Sequence, residues 1–493
     1  MRTIVLGPPG TGKTTTLLNK VDSYLKNTDP DKIGYFAFTK KAANEARDRA
    51  IRDFNLTEDD LPYFRTLHSL AFRKLGIKKD QVMQGRHYKD LGKKLGFPVT
   101  YADYQEDQGG IFTSDSEYLR IIQLAQLRNI TPEQQFDLAE HTQDLERDQL
   151  RIIYNEIKRY KKEYNLIDFN DMILDFTKSD LSPKFDVVFI DEAQDLSLMQ
   201  WDMAKTIWNK TENAFIAGDD DQAIFRWAGA DVDSFINLTG TYLPLIQSYR
   251  IPAKVHNLAM NIINKIKNRI DKTWKPKTNE GTLHRHFDVD SIDMTQGDWL
   301  VLSRTRHMLN DIEESLYRQG LYYKNRYKRN DEQDLHECAT AWEGGLLNQL
   351  EIKNIYEYLG SSVLEGFRKG KTLHAEEKYL MRDCRAEHGL VTDSVWYEAF
   401  EGLDAITENY IRNMRANGET LNRNPRIIMS TIHGAKGGEA DKVLLMQDIT
   451  NAALETFSYD PDELHRLFYT GATRAKRELH VLDPRDFDRA YIL

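Results

Sequence analysis

The sequence predicts an α/β protein with two parallel-sheet halves, each interrupted by a mainly helical insertion. Three observations carry that expectation. The chain opens with an apolar strand, Thr3-Ile4-Val5-Leu6, that runs through a glycine-rich turn into a helical pattern. A second strand and helix follow at once, at 33–39 and 40–53. A second α/β texture begins near Ser248, with Trp299-Leu300-Val301-Leu302-Ser303 as its clearest early strand. Strands and helices alternating in this way build a parallel sheet that takes its ligands at the carboxyl ends of the strands.

The opening turn, Gly7-Pro8-Pro9-Gly10-Thr11-Gly12-Lys13-Thr14-Thr15, fits G-x-x-x-x-G-K-T. Glycines let backbone N–H groups converge on a phosphate with no Cβ in the way, and the helix start adds its positive end. Lys13 would reach the β- and γ-phosphates, and Thr14 would ligate Mg²⁺. The bland alternative is a chance glycine turn, which the strand before it and the apolar face after it (Leu17, Leu18, Val21, Tyr24, Leu25) argue against. Beyond the helix at 40–53 the texture turns helical from Leu75 to Leu150, with a loop at Asp103 to Gly110 and no apolar strand. Strand character returns at 185–190, 213–217 and 243–247. Residues 359–424 read as a second helical insertion, followed by strands at 426–430, 441–446 and 478–482 and a helix at 463–469.

The totals bound the rest. A chain of 493 residues with 40% hydrophobic and 29% charged residues should fold as two or more soluble domains. No membrane span or signal peptide is expected, and two cysteines fit a cytoplasmic setting. The net charge of −10 excludes a globally basic nucleic-acid binder, so any such track must be local. Candidates are Lys40-Lys41 with Arg47 and Arg49, Lys158 to Lys162, Lys265 to Lys277 and Lys324 to Arg329, though such runs are often only solvated faces.

Val187-Val188-Phe189-Ile190-Asp191-Glu192 delivers two carboxylates to a strand end. Asp191 suits the Mg²⁺ shell, and Glu192 suits polarising the attacking water. Asp219-Asp220-Asp221-Gln222, followed by Phe225 and Trp227, mixes phosphate sensing with stacking surface. Clustered aspartates also suit a metal-ion nuclease, but no further carboxylate motif completes one. His336, Cys338, Cys384 and His388 would offer zinc two thiolates and two imidazoles, at a spacing that fits no standard finger.

These blocks, in this order, resemble the superfamily 1A helicases of the UvrD/Rep type. Phe38-Thr39-Lys40-Lys41 resembles motif Ia, Thr66-Leu67-His68-Ser69 motif Ib, and Gln247-Ser248-Tyr249-Arg250 motif IV. Ser430 to Glu439 resembles motif V, and Tyr469 to Ala475 motif VI. The resemblance implies two RecA-like P-loop NTPase domains: 1–74 with 151–245, and 246–358 with 425–493. The insertions are 75–150 and a reduced 359–424. It implies ATP and Mg²⁺ as cofactors, Arg250 and Arg474 as arginines that stabilise the transferred phosphoryl from the second half, and Gln222 as the γ-phosphate sensor. Tyr249 would stack on the base and Glu439 would hold the ribose. Phe38, Thr39, His68, Phe225, Trp227, Thr431 and His433 would face the strand, although Phe38 lies in an apolar run and could equally be core. The implied activity is 3′→5′ movement on single-stranded DNA with unwinding at single/double-strand junctions, in repair, replication or recombination. The chain would act as a monomer, with accessory proteins as further partners.

Three departures qualify the expectation. The adenine-reading glutamine segment ahead of the P-loop strand is not in this sequence, which leaves NTP selectivity open. Trp227-Ala228-Gly229 follows Arg226 where the family commonly has Trp-Arg-Gly. The second insertion is short, and no nuclease-like extension is expected after motif VI. A translocase that displaces bound proteins without unwinding, a 5′→3′ helicase and an RNA-directed motor remain the alternatives.

Overall fold

The computed structural model describes residues 1–105, 110–139, 144–328, 335, 338, 342, 346–360, 378–387, 390–392, 394–401, 403–419 and 424–493. The chain forms two compact units, Met1–Glu280 with Asp460–Thr470, and Gly281–Tyr459 with Gly471–Leu493. Each is built on a six-stranded sheet whose ladders are all parallel.

In the first unit the strands are β1 (Arg2–Leu6), β2 (Ile33–Ala37), β3 (Phe64–Arg65), β4 (Ala102–Gln105), β5 (Ile111–Ser114), β6 (Val187–Asp191), β7 (Asn213–Gly218) and β8 (Thr241–Pro244). The large sheet has the order β3-β2-β6-β7-β1-β8. Every residue of β2 and β6 is buried, as expected for strands covered on both faces. Register pairs Leu6 with Gly218 and Ala37 with Asp191, so the glycine-rich turn, Thr39, Asp191 and Asp219 all leave the sheet at the same end. The helix Lys13–Leu25 buries Leu17, Leu18 and Val21 against that sheet.

The insertion has its own core, built from Tyr88, Leu91, Leu119 and Ile122 with Leu150, Ile153 and Ile157 of the helix Arg147–Glu163. It also contains an antiparallel hairpin, β4 with β5, where a loop and no strand are expected from the sequence. The reason is alternation: Ala102 and Tyr104 are buried while Asp103 is exposed, a half-buried pattern whose polar members hide the strand. The edge strand β8 sits earlier than the expected 243–247, because its exposed residues pair with β1 from Thr241 to Pro244.

Residues 246–280 belong to the first unit rather than to the second half, where the sequence expectation puts them. Their backbone bonds the glycine-rich turn, with Tyr249 N donating to Gly10 O at 2.9 Å. Their cations meet Asp219–Asp221, as described below.

The second unit carries β9 (Thr282–His286), β10 (Trp299–Ser303), β11 (Tyr323–Asn325), β12 (Ile427–Thr431), β13 (Ala440–Met446) and β14 (Ala475–Leu482), ordered β11-β12-β10-β13-β14-β9. Its described helices include Asn310–Gln319, Gln349–Glu357, Met381–Glu387 and Ala405–Ala416. Trp299, Ile352, Tyr356, Cys384 and Met414 share one core with the sheet. Among the described residues, no helix is long and apolar enough to cross a membrane.

Candidate active site

The glycine-rich turn takes its shape from its own hydrogen bonds. Gly7 N donates to Gly218 O of β7 at 3.0 Å, and Thr11 Oγ1 donates to Pro8 O at 2.8 Å. Gly10 and Gly12 adopt φ of +71° and +82°, the left-handed region that glycine enters without strain. A Cβ on Gly10 would stand 2.3 Å from Arg250 Cβ, so this glycine is also what lets the Ser248–Arg250 segment close on the turn. Ser248 Oγ donates to Pro9 O at 2.7 Å and completes that grip. Gly12 caps the helix Lys13–Leu25, whose first turn has no side-chain cap and no acid, as an anion site requires.

Beneath the turn lies a chain of polar contacts. Lys13 Nζ donates to Gly7 O at 2.8 Å and stands 3.7 Å from Glu192 Oε1. Thr14 Oγ1 and Tyr35 OH both donate to Asp191 Oδ2, at 2.8 and 2.9 Å. Gln194 Nε2 donates to Glu192 Oε2 at 2.6 Å, while its Oε1 accepts from Asp219 N at 3.0 Å. Gln222 Nε2 then donates to Asp219 Oδ2 at 2.6 Å. Glu192 is thereby linked, through Gln194 and Asp219, to Gln222. Glu192 also adopts φ +54°, a conformation costing a non-glycine residue of order 1–3 kcal/mol and typical of functional turns. Burial, and then the neighbouring Glu192 charge, push the Asp191 carboxyl up. An acid pair with one buried and one half-buried member, as here, favours a cation beside it.

Tyr249 is 76% exposed, free to present its ring, and Arg250 lies half-buried beside Gly10. The exposed Thr15 hydroxyl accepts from Arg49 at 3.0 Å. In the second unit, Arg474 is buried and donates to Gly438 O at 3.3 Å; exposed Glu439 faces Lys476 at 3.9 Å.

The three aspartates after β7 do not form a metal cluster. Lys272 Nζ reaches Asp219, Asp220 and Asp221 at 3.1, 2.5 and 2.8 Å. Arg269 grips Asp221 with two bonds of 2.8 and 2.7 Å, and Arg466 Nε donates to Asp220 O at 2.8 Å. The stretch 265–277 thus spends Arg269 and Lys272 inside the fold rather than on a nucleic-acid face. Lys161 of another nominated stretch is likewise buried on Asp168 and Asp171, at 2.8 and 2.6 Å. Lys272→Ala would strand buried carboxylates and should cost about 3–5 kcal/mol. That loss would be read as a lower urea midpoint at unchanged slope; an unchanged midpoint would show that the trio does not depend on this lysine.

The residues expected to face a strand are unequally placed. Phe38 and Phe225 are 7% and 3% exposed and pack on each other at 5.6 Å, so they are interior rings that offer no open face. Thr39 caps the helix Lys40–Phe54 by accepting from Ala42 N. His68 is buried beside Phe169 and Gly110, and burial pushes its imidazole down to about 4, so it is neutral at pH 7. Trp227 is half-buried and accessible; the neighbouring Arg226 is bound to Asp460 at 2.6 Å. In the second unit, Thr431 Oγ1 is 2.8 Å from Tyr327 OH, and His433 is half-buried on the turn after β12. Arg326 donates to Gly434 O, and Lys328 pairs with Glu313. Arg329 lies outside the described residues.

Between the first sheet and its insertion runs a cavity of about 1190 Å³ whose lining includes Lys40, Arg65, His68, Arg73, Arg86 and Lys89. Glu58, Asp59 and Asp103 also line it, so its cations outnumber its acids. Of the zinc candidates, Cys338 and Cys384 are buried in the second core, where burial pushes the Cys384 thiol up. His336 and His388 lie outside the described residues.

Sequence reasoning missed Tyr35, Gln194, Ser248, Arg269 and Lys272. Gln194 sits inside the acidic block and was legible by position. Tyr35 is masked by an apolar strand, and the two cations are set by contacts some fifty residues away in sequence.

Comparison with known proteins agrees with this geometry. Residues 1–242 match the UvrD/REP helicase N-terminal domain, and residues 427–482 match the UvrD-like helicase C-terminal domain. The chain is 25% identical over 357 residues to the ATP-dependent DNA helicase PcrA of Bacillus subtilis, covering 65% of this chain and 48% of that protein. It is 25% identical over 277 residues to the ATP-dependent DNA helicase Rep of Buchnera aphidicola subsp. Acyrthosiphon pisum, covering 53% and 42%. PcrA of Staphylococcus epidermidis is 25% identical over 382 residues, covering 72% and 51%. The chain thus spans about half the length of the curated relatives it matches. With both halves of the helicase core matched in their expected order, the chain belongs to the UvrD/REP helicase family.

Proposed function

We propose that this protein is an ATP-driven motor that moves 3′→5′ on single-stranded DNA and separates the strands of a duplex. The observation that carries this reading is the unbroken hydrogen-bond chain from Glu192 through Gln194 and Asp219 to Gln222, set directly under the glycine-rich turn. It couples the group that would activate water to the group that would sense the γ-phosphate. The relatives' names supply the DNA and ATP, and the motif resemblance supplies the direction.

In this reading the turn's N–H groups and Lys13 bind the phosphates, and Tyr249 covers the base. Glu192 accepts the proton of the attacking water, while Arg250 neutralises charge on the γ-phosphoryl oxygens. Thr14 and Asp191 suit Mg²⁺: an oxygen pair 2.8 Å apart, one member a carboxyl pushed up by burial and then by the Glu192 charge. Mg²⁺ held there would supply positive charge to the bound phosphates. Arg474 and Glu439 are assigned the phosphoryl and ribose roles that the resemblance gives them.

Thr39, Trp227, Thr431 and His433 are the strand-facing residues in this account, with His68 contributing as a neutral ring. Stacking is worth about 1–3 kcal/mol per base and is indifferent to sequence, as a motor requires. Trp227→Ala should therefore lower DNA-stimulated ATP turnover about tenfold at fixed DNA concentration and leave basal turnover unchanged. Equal loss of both rates would make Trp227 a structural residue.

A further inference from the structure

The second sheet carries a constellation that the motor does not use. Strand β9 reads Thr282-Leu283-His284-Arg285-His286, and β14 contains Glu478-Leu479-His480. The two strands pair in parallel, with His480 opposite His284 and Leu482 opposite His286. Alternate residues of a strand share a face, so His284, His286, Glu478 and His480 all rise from one side of the sheet.

The geometry points to a divalent transition-metal site of the zinc class formed by His284, Glu478 and His480. One ligand atom from each lies within 4.8 Å of the others. Ligands about 2.0–2.2 Å from a tetrahedral ion stand about 3.4 Å apart, so closure asks for side-chain torsion and not for movement of the strands. His284 is exposed, so its ring has room to turn.

The surrounding bonds suit this use. His480 Nε2 faces Glu478 Oε2 at 3.2 Å, and its other nitrogen, Nδ1, is held by His286 Nε2 at 2.9 Å. A metal-binding imidazole characteristically has its second nitrogen fixed in this way, which sets tautomer and ring angle. Trp299 of β10, two strands away across β13, packs against His480 with ring centroids 4.7 Å apart. Two imidazoles and one carboxylate, with a water completing four, match zinc far better than magnesium or calcium, which prefer oxygen. Lys442 Nζ stands 3.7 Å from Glu478 and competes for the same carboxylate. The ion would staple the edge strand β9 to β14, the strand that begins immediately after Arg474.

The test uses the full chain, stripped with chelator and titrated with Zn²⁺ by calorimetry, with Co²⁺ as the spectroscopic probe. One equivalent should bind, and His284→Ala and Glu478→Gln should each weaken it at least about tenfold. His284 is exposed, so its variant should fold normally. Lys442→Met should tighten binding, by removing the competitor. Bound Co²⁺ should show visible bands without a thiolate charge-transfer band. No stoichiometric binding, unchanged affinity in both weakening variants, or a thiolate band would each overturn the site.

Discussion

Replacing Arg250 by alanine should lower the rate of ATP hydrolysis by about 10³–10⁵-fold, the range an arginine contributes when it stabilises a transferring phosphoryl group. Alanine keeps the Cβ that packs against Gly10, and the Ser248–Pro9 bond does not involve this side chain. The loss should therefore fall on kcat with little change in KM, and single-strand binding should persist. A variant that instead raises KM at unchanged kcat would place Arg250 in ground-state binding and remove it from the chemistry.

Lys13→Ala should lower turnover by about 10²–10³-fold, the usual cost of losing one preorganised donor to developing charge. Here both kcat and nucleotide affinity should fall, because Lys13 serves the phosphates before and during transfer. Its present partners, Gly7 O and Glu192, lie in the turn and the acid pair, so the sheet and helix around it stay packed. DNA binding at low salt should survive. Turnover near the unmodified rate in this variant would refute the phosphate assignment.

What could be read from the sequence divides along a physical line. The central strands β1, β2, β6, β7, β10 and β12 carry apolar runs because both faces of a parallel sheet are covered, while β13 and β14 begin with charged residues and turn apolar mainly over Val443–Met446 and Leu479–Leu482. The strands that were missed or displaced are edges. They are β3 and β8 of one sheet and β9 and β11 of the other, with the short β4–β5 hairpin. Edge strands are half-solvated and carry polar residues such as Arg65, His284 and Lys324, so their pattern does not differ from a loop.

The site divides in the same way. That Lys13, Thr14, Asp191 and Glu192 lie together was legible, because local spacing sets each of them against a strand end beside the glycine-rich turn. Asp219–Asp221 reads from the sequence as phosphate sensing with stacking surface, and its ion pairs with Lys272 and Arg269 do not show there because tertiary packing sets them. The burial of Phe225 against Phe38 is equally invisible to spacing. So is the histidine cluster, whose two halves lie almost two hundred residues apart and meet only through the register of β9 on β14.

The central claim is ATP-driven strand separation with 3′→5′ polarity. The most direct measurement compares unwinding of matched duplexes bearing a 3′ or a 5′ single-stranded tail, with ATP and Mg²⁺ present. The account predicts unwinding of the 3′-tailed duplex, little of the 5′-tailed one, and none with Lys13→Ala. Preference for the 5′ tail would contradict the polarity. If neither duplex opens while single strands still stimulate ATP turnover, strand separation itself is contradicted and the protein is a translocase.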